Sequence, residues 1–452
     1  MLRRTLNPGE VVLVSFISVA LLGSFLLMLP TATVSGSLRW IDAFFMATSA
    51  VCVTGLSVID LGSEFTRFGQ GIMLLLIQAG GLGIMTFSVF LMMMFRQKIS
   101  FTSQLSIGFE PHKNQTRNLF NILVFVLAMV FSFEAIGTIL LYARLKTFPA
   151  ESAPFFSALF HAVSAFCNAG FSLYKDSLIQ FQHEFYLPSV MAFLVIVGGL
   201  GFMLIDELRL WLQARLTRRR YRLSLHTRIC LYFTVVLLIA GTGAILLLEW
   251  NNMLVGLPLA QKLMNAFFLS VSSRTAGFNT LDTGSLTNST LMIVLWLMFI
   301  GGCPGSAAGG IKVSTFAALL ALIHSKLSGR ENAALFERRI PAKAISRALA
   351  IFAASFIAIN TATLFFHLTE RIDVSHNLAK GSFLDLLFEA TSAFGTVGLS
   401  TGLTPTFSDW GKVGSIVLMF AGRLGPLTLG IALLTRRRAP AYCFVEEDIA
   451  IG

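Results

Sequence analysis

The phrase Thr-Ser-Ala-Val-Cys-Val-Thr-Gly-Leu-Ser at 48–57 returns as Thr-Ser-Ala-Phe-Gly-Thr-Val-Gly-Leu-Ser at 391–400, and two looser copies centre on Gly170 and Gly277. Counted from the four glycines Gly55, Gly170, Gly277 and Gly398, a phenylalanine stands ten residues before each (Phe45, Phe160, Phe267, Phe388) and a small residue five before (Ala50, Ala165, Ser272, Ala393). An apolar residue follows each glycine (Leu56, Phe171, Phe278, Leu399), and then a small polar one (Ser57, Ser172, Asn279, Ser400). Glycine admits positive φ, which lets successive backbone carbonyls of a short extended segment turn to one side. Oxygens so arranged can replace the hydration shell of a cation. The segments offered for this are Val53-Thr54-Gly55, Asn168-Ala169-Gly170, Thr275-Ala276-Gly277 and Thr396-Val397-Gly398.

The surroundings of these segments are apolar. Of 452 residues 55% are hydrophobic and 13% charged, with a mean hydropathy of +0.76, which places the chain among membrane proteins. A helix crosses the hydrocarbon layer with about 20 apolar residues. Such runs lie at 11–29, 68–95, 118–142, 185–205, 229–248, 291–311, 348–368 and 413–435, which predicts eight spans and an all-α polytopic fold. The first run is too long for the core of a cleaved leader and is read as a span.

Basic residues orient the chain. With both termini in the cytoplasm, the inner segments hold 23 of the 34 lysines and arginines, including Arg218-Arg219-Arg220 and Arg436-Arg437-Arg438, as the positive-inside rule requires. The net charge of +11 is thereby explained by topology and the lipid bilayer, without nucleic acid.

Between the runs sit shorter apolar stretches, each ending in one of the four phrases. They are too short to span and are read as re-entrant pore helices. Each following run carries a second glycine motif, GGLG at 80–83, GGLG at 198–201, GGCPG at 301–305 and GRLG at 422–425. Four units of helix, re-entrant helix and helix follow, with boundaries 1–99, 100–222, 223–335 (its second span broken) and 336–452. Four like-oriented units imply pseudo-fourfold symmetry around one pore. Irregular backbone at membrane depth is tolerated only where buried or lining water.

Two departures stand out. Arg423 occupies the position of Gly81, Gly199 and Gly302 in the other units. A lone arginine in the bilayer costs from about 3 kcal/mol upward and must find water or polar partners. Two uses are open: a positive charge on the pore axis that slows cations, or a cap on carbonyls of a broken neighbouring helix. The second departure, IGGCPGSAAGGIK at 300–312, predicts an unwound segment inside a span, with Gly301, Gly302, Pro304, Gly305, Ser306, Gly309, Gly310 and Lys312 forming a gate together with Arg423.

Thr396-Val397-Gly398 is the opening of the filter sequence of potassium channels. With the four matched phrases, the chain resembles the Trk/Ktr/HKT superfamily of potassium transporters over its whole length, most of all the Ktr-type membrane subunit, given the short tail Glu446–Gly452. The resemblance implies uptake of potassium through a four-glycine filter, and glycine at Gly55 implies potassium over sodium. It further implies a loop gate beneath the filter, a brace for the filter from Arg274, sodium as activator or co-ion at a site left unassigned, a homodimer, and a cytoplasmic nucleotide-binding regulatory ring (KtrA-like). The expected location is the bacterial plasma (inner) membrane, multi-pass, with no tightly bound cofactor.

The remaining polar residues are read more plainly. Glu134 is expected to make a helix-to-helix hydrogen bond. His161 and Glu389, at the offset of Met46 and Phe268, are expected at unit boundaries, and Asp42 and Asp385 near helix starts for N-terminal capping and dipole compensation. Cys52, Cys167, Cys230, Cys303 and Cys443 lack metal-ligand spacing and read as small apolar fillers. A secondary carrier for sodium or another small solute is the alternative function, but carriers favour inverted repeats. An enzyme would need a nucleophile and base that the spans do not supply, and no GxGxxG or P-loop is present. The basic segments 96–117 and 312–347 are candidate docking surfaces.

Overall fold

A computed structural model describes residues 8–96, 119–149, 151–370 and 381–425. The segment around 97–118, Arg436-Arg437-Arg438, Cys443 and the tail lie outside them. The fold is helical apart from one two-stranded hairpin, Ala334–Leu335 with Arg338–Arg339. Helices longer than one turn are α1 Pro8–Leu27, α2 Trp40–Val51, α3 Arg67–Arg96, α4 Leu119–Leu145, α5 Pro154–Phe166, α6 Tyr186–Leu200, α7 Phe202–Leu216, α8 Leu225–Leu248, α9 Leu259–Ser272, α10 Asn288–Phe299, α11 Val313–Leu327, α12 Ala342–Glu370, α13 Ser382–Gly395 and α14 Asp409–Leu424.

Among the described residues four helical stretches are long and apolar enough to cross a membrane: Glu10–Leu27, Leu123–Leu145, Leu225–Leu248 and Ala342–Glu370. The expected run at 185–205 is instead split between α6 and α7, which meet at a 97° bend. Gly201, at φ +81°, makes that turn. The run at 291–311 is helical only to Phe299, and helix α14 ends at Leu424. Proline and paired glycines interrupt the apolar runs that composition alone reads as continuous.

The short helices α2, α5, α9 and α13 are packed by helices from their neighbours. Helix α3 lies against α5, α6 against α9, α10 against α13, and α14 returns to α2. Each pair joins one unit to the next, so the contacts close a ring. Fully buried phenylalanines fill the short helices at Phe45, Phe160 and Phe388.

Polar residues fix the long helices to one another at their ends. Glu249, at the end of α8, accepts from Thr287 N and Oγ1, both at 2.9 Å, just before α10. Glu370, at the end of α12, accepts from Ser408 N at 3.0 Å and Oγ at 2.6 Å before α14. A carboxylate there satisfies amides that the helix start leaves without partners. Glu134 of α4 accepts from Gln78 Nε2 of α3 at 3.2 Å, the expected bond between helices.

Asp42 stands in the first turn of α2, where an acid complements the helix dipole as expected, but it is not the cap. The N-cap position of α2 is Arg39, and Asp42 pairs with Lys412 Nζ of α14 at 2.7 Å, both side chains buried. Asp385 likewise sits in the first turn of α13, whose N-cap is Gly381. The Asp42–Lys412 bond ties the last unit to the first. Asp42 also accepts from Arg39 Nε at 2.7 Å and Nη2 at 3.2 Å, so removing Lys412 leaves the carboxylate one partner and costs less than an uncompensated buried charge, for which the figure is about 3–5 kcal/mol. Lys412→Met is therefore expected to lower stability in detergent by less than that, and the double variant Asp42→Asn/Lys412→Met to recover most of the loss; thermal unfolding checks both.

Candidate functional site

The ends of the short helices share one backbone path. Val53 (φ 53°), Asn168 (57°), Thr275 (72°) and Thr396 (49°) are left-handed, and two residues later Gly55 (93°), Gly170 (72°), Gly277 (79°) and Gly398 (94°) are left-handed again. Positive φ at β-branched Val and Thr costs of order 1–3 kcal/mol each and persists only where the surroundings impose it. Here a serine of the short helix imposes it. The carbonyls of Ser49, Ser164, Ser272 and Ser392 accept from Thr54 N, Ala169 N, Ala276 N and Val397 N at 2.7–2.9 Å. The serine side chains lock the far side: Ser49 Oγ accepts from Gly55 N at 3.2 Å and Ser392 Oγ from Gly398 N at 3.1 Å. Ser164 Oγ donates to Phe171 O at 2.8 Å, and Ser272 Oγ donates to Phe278 O.

These serines correct the register read from the glycines. Ser49, Ser164 and Ser392 stand six residues before their glycine but Ser272 stands five before Gly277. The fully packed phenylalanine of α9 is accordingly Phe268, 1% exposed, with Phe267 only partly buried. The third unit is one residue shorter between this serine and its glycine, so counting back from Gly277 lands one position off.

The four segments close on each other. A Cβ on Gly55 would stand 2.5 Å from Ala169 O, one on Gly170 2.8 Å from Ala276 O, one on Gly277 2.3 Å from Val397 O, and one on Gly398 2.3 Å from Thr54 O. Each glycine thus abuts the carbonyl preceding the next glycine, and the order returns to its start. All four glycines line a single cavity of about 280 Å³, which Ser57, Asp60, Ser172, Asp176, Asn279, Asp282 and Ser400 also line. Thr54, Ala169, Ala276 and Val397 are buried to 0%. Among the described residues none of their carbonyls accepts a hydrogen bond, and Thr54, Thr275 and Thr396 have unpartnered buried hydroxyls. Buried carbonyls without partners are rare, because leaving them so costs free energy comparable to a lost hydrogen bond. Four of them stand in one ring.

His161 and Glu389 hold the return strands of their own units, not the unit boundaries expected of them. His161 Nε2 bonds Ser172 Oγ at 3.1 Å. Glu389 accepts from Ser400 Oγ at 2.5 Å, Thr401 N at 3.0 Å and Thr404 Oγ1 at 2.6 Å. In both cases the partner is the serine two residues past the glycine, a pairing that matched offsets in the sequence contain.

Residues 300–312 form a non-helical loop. Gly301 N donates to Ile311 O at 2.9 Å and Val313 N to Gly302 O at 3.1 Å, which close its neck. Cys303 N donates to Gly199 O at 2.9 Å, so the loop seats on the α6–α7 bend. It also presses on the fourth segment: a Cβ on Gly309 would stand 2.0 Å from Thr396 Oγ1. Gly305 and Gly310 have positive φ, and Ser306 Oγ donates to Cys303 O at 2.6 Å, making the turn that follows Pro304.

Three cations hold this loop through its carbonyls. Arg423 donates through Nη1 to Ala307 O and through Nη2 to Gly80 O at 3.1 Å. Lys312 Nζ donates to Ala308 O. Arg274 Nη2 donates to Gly301 O at 3.3 Å. Of the two uses open to Arg423, capping of loop carbonyls is present in the structure. Arg274, expected to brace the filter, instead bonds Gly301 O at the loop neck and Thr234 O of α8.

Gly170→Ala and Gly277→Ala force a Cβ against a neighbouring carbonyl at positive φ, so each is expected to lower stability by about 1–3 kcal/mol or more. Gly243→Ala, where a Cβ meets nothing within 4 Å, is the expected neutral control. Thermal unfolding of the purified variants checks the contrast.

The sequence profile of the TrkH family of cation transport proteins matches residues 4–440. The Ktr system potassium uptake protein B of Bacillus subtilis is 38% identical, covering 93% of this chain and 92% of that protein. The protein of the same name from Vibrio alginolyticus is 39% identical over 98% and 94%. The potassium/sodium uptake protein NtpJ of Enterococcus hirae is 36% identical over 100% and 98%. In fold, the crystal structure of the potassium transporter TrkH from Vibrio parahaemolyticus superposes with a TM-score of 0.74 at 20% identity, covering 96% of this chain and 86% of that one. With its apolar helices, the chain is a multi-pass membrane protein, and it belongs to the TrkH family of cation transport proteins.

Proposed function

We propose that the protein takes up potassium across the cell membrane through a filter built by the four glycine segments. The observation that carries this reading is the closed ring of buried, unpartnered carbonyls at Thr54, Ala169, Ala276 and Val397. A dehydrated cation is the partner such oxygens need. The named relatives include potassium uptake proteins over their full length, which supports potassium as the ion.

On this reading the chain has eight spans, counting the broken ones, with both termini in the cytoplasm. The units bounded at 99, 222 and 335 stand around one axis with pseudo-fourfold symmetry. The cyclic packing of each second helix on the next short helix supports that arrangement. The loop 300–312 with Arg423 is the gate beneath the filter, and Arg274 its brace. Arg423 both holds the loop and sets a positive charge in the path of the ion. The membrane potential, about 2.3 kcal/mol per charge for each 100 mV, drives entry. Sodium stimulation, a homodimer and a cytoplasmic nucleotide-binding regulatory ring complete the proposal; the likeness to the Ktr system proteins and to NtpJ supports them.

The test is potassium and sodium uptake in cells lacking their own potassium importers, with and without a regulatory subunit. The intact protein is expected to restore growth at low potassium. Gly55→Ser is expected to admit sodium or lose at least about tenfold in potassium flux, equivalent to about 1.4 kcal/mol of barrier. Arg423→Ala is expected to raise flux. Absence of potassium movement with the regulator supplied, or an unaltered Gly55→Ser, removes the filter assignment and favours the carrier.

A further inference from the structure

The four cysteines among the described residues, Cys52, Cys167, Cys230 and Cys303, are buried and unbonded. Two of them meet. Cys230 of α8 and Cys303 of the loop share one packed cluster with Leu204. Helical spacing places His226, Cys230 and Thr234 one turn apart on one face of α8. His226 Nε2 lies 3.7 Å from Cys230 Sγ, and Thr234 Oγ1 lies 3.8 Å from Cys303 Sγ. His226 is only partly buried and stands in the first turn of α8, so this column leads from an accessible imidazole to the loop.

The loop that carries Cys303 is held by the cations Arg274 and Lys312, whereas Cys167 lies 3.8 Å from Glu134 Oε1. A paired thiol next to a histidine and two cations is the arrangement in which oxidation ends as a disulfide.

We propose that Cys230 and Cys303 are a modification site, a reversible dithiol–disulfide pair through which a small peroxide fastens the loop to α8. The Cys230 proton passes to His226 Nε2, and the thiolate attacks one peroxide oxygen. A sulfur–oxygen bond forms, the oxygen–oxygen bond breaks, and the leaving hydroxide takes the proton from His226 to become water. The Cys303 sulfur then attacks the sulfenic sulfur. The sulfur–sulfur bond forms, the sulfur–oxygen bond breaks, and hydroxide leaves with the Cys303 proton as a second water. Two electrons pass from the sulfurs to the peroxide, and a dithiol reductant returns both sulfurs to thiols by exchange, becoming a disulfide itself.

A disulfide holds its two Cα atoms within about 4.4–6.8 Å of each other. The bond would therefore fix the turn at Cys303, whose amide already donates to Gly199 O, to a long helix. Its effect on ion flux rests on the loop being the gate; the linkage itself does not.

The experiment uses the full chain in proteoliposomes. Hydrogen peroxide is added, remaining thiols are alkylated, and peptides are mapped by mass without reduction. Potassium flux is followed before oxidation, after it, and after dithiothreitol. The expected result is a Cys230–Cys303 cross-linked peptide, a several-fold fall in flux and its recovery on reduction. Cys230→Ser is expected to keep basal flux and lose the peroxide response. Alkylation of both thiols after peroxide overturns the proposal, as does a linkage that leaves flux unchanged. If the reduced protein carries no potassium, the transport reading fails while the mass map still decides the linkage.

Discussion

Backbone carbonyls buried at membrane depth must find a partner, and in this protein four of them, at Thr54, Ala169, Ala276 and Val397, have none within the described chain. The rest of the structure is arranged to make that condition tolerable. Glycines allow neighbouring segments to approach to contact. A serine in each short helix dictates left-handed backbone where Val53, Thr275 and Thr396 would not adopt it freely. Outside these, each short helix is wedged by the second helix of the unit before it. The ring is closed between its sequence-distant ends by the buried Asp42–Lys412 pair. Stability invested in helices and ion pairs offsets strain stored at the segments.

The ring is not symmetric below the glycines, and the asymmetry has a physical source. In the first, second and fourth units, Gly80, Gly198 and Gly422 pack against carbonyls at the ends of the short helices, those of Val51, Phe166 and Phe394. In the third unit Gly301 packs instead against Gly309 O of its own loop. The chain there has left the helical path, so its carbonyls need donors. Arg423, Lys312 and Arg274 supply them. The loop is held by discrete hydrogen bonds, from these cations and from Cys303 N to Gly199 O, rather than by a continuous helix. This is what the proposed gate requires.

Much of this was legible in the sequence, because glycine at matched offsets has a steric meaning that does not depend on context. The left-handed turns, the unwound 300–312 segment and the need of Arg423 for polar partners follow from residue type alone. What was not legible depended on partners remote in the chain. Asp42 looks like a helix cap until Lys412 is brought beside it. His161 and Glu389 read as boundary residues because a period-based view shows which face they share and not which strand folds over it. The single-residue deletion before Gly277 is invisible when counting from the glycine, and appears only when Ser272 is seen doing the work of Ser49, Ser164 and Ser392. The apolar run at 185–205 overstates helix continuity at Gly201, where a glycine rather than a polar residue breaks the span.

The central claim, that these carbonyls are the ligands of a dehydrated potassium ion, is tested most directly by locating the ion. Crystals or frozen particles of the purified protein in rubidium or thallium salts would be examined for heavy-ion density. The account predicts density on the ring axis, within ligand distance of the carbonyls of Thr54, Ala169, Ala276 and Val397, which potassium competes away and sodium does not. Heavy-ion density confined to other sites, or an axial site that sodium fills equally well, would contradict it.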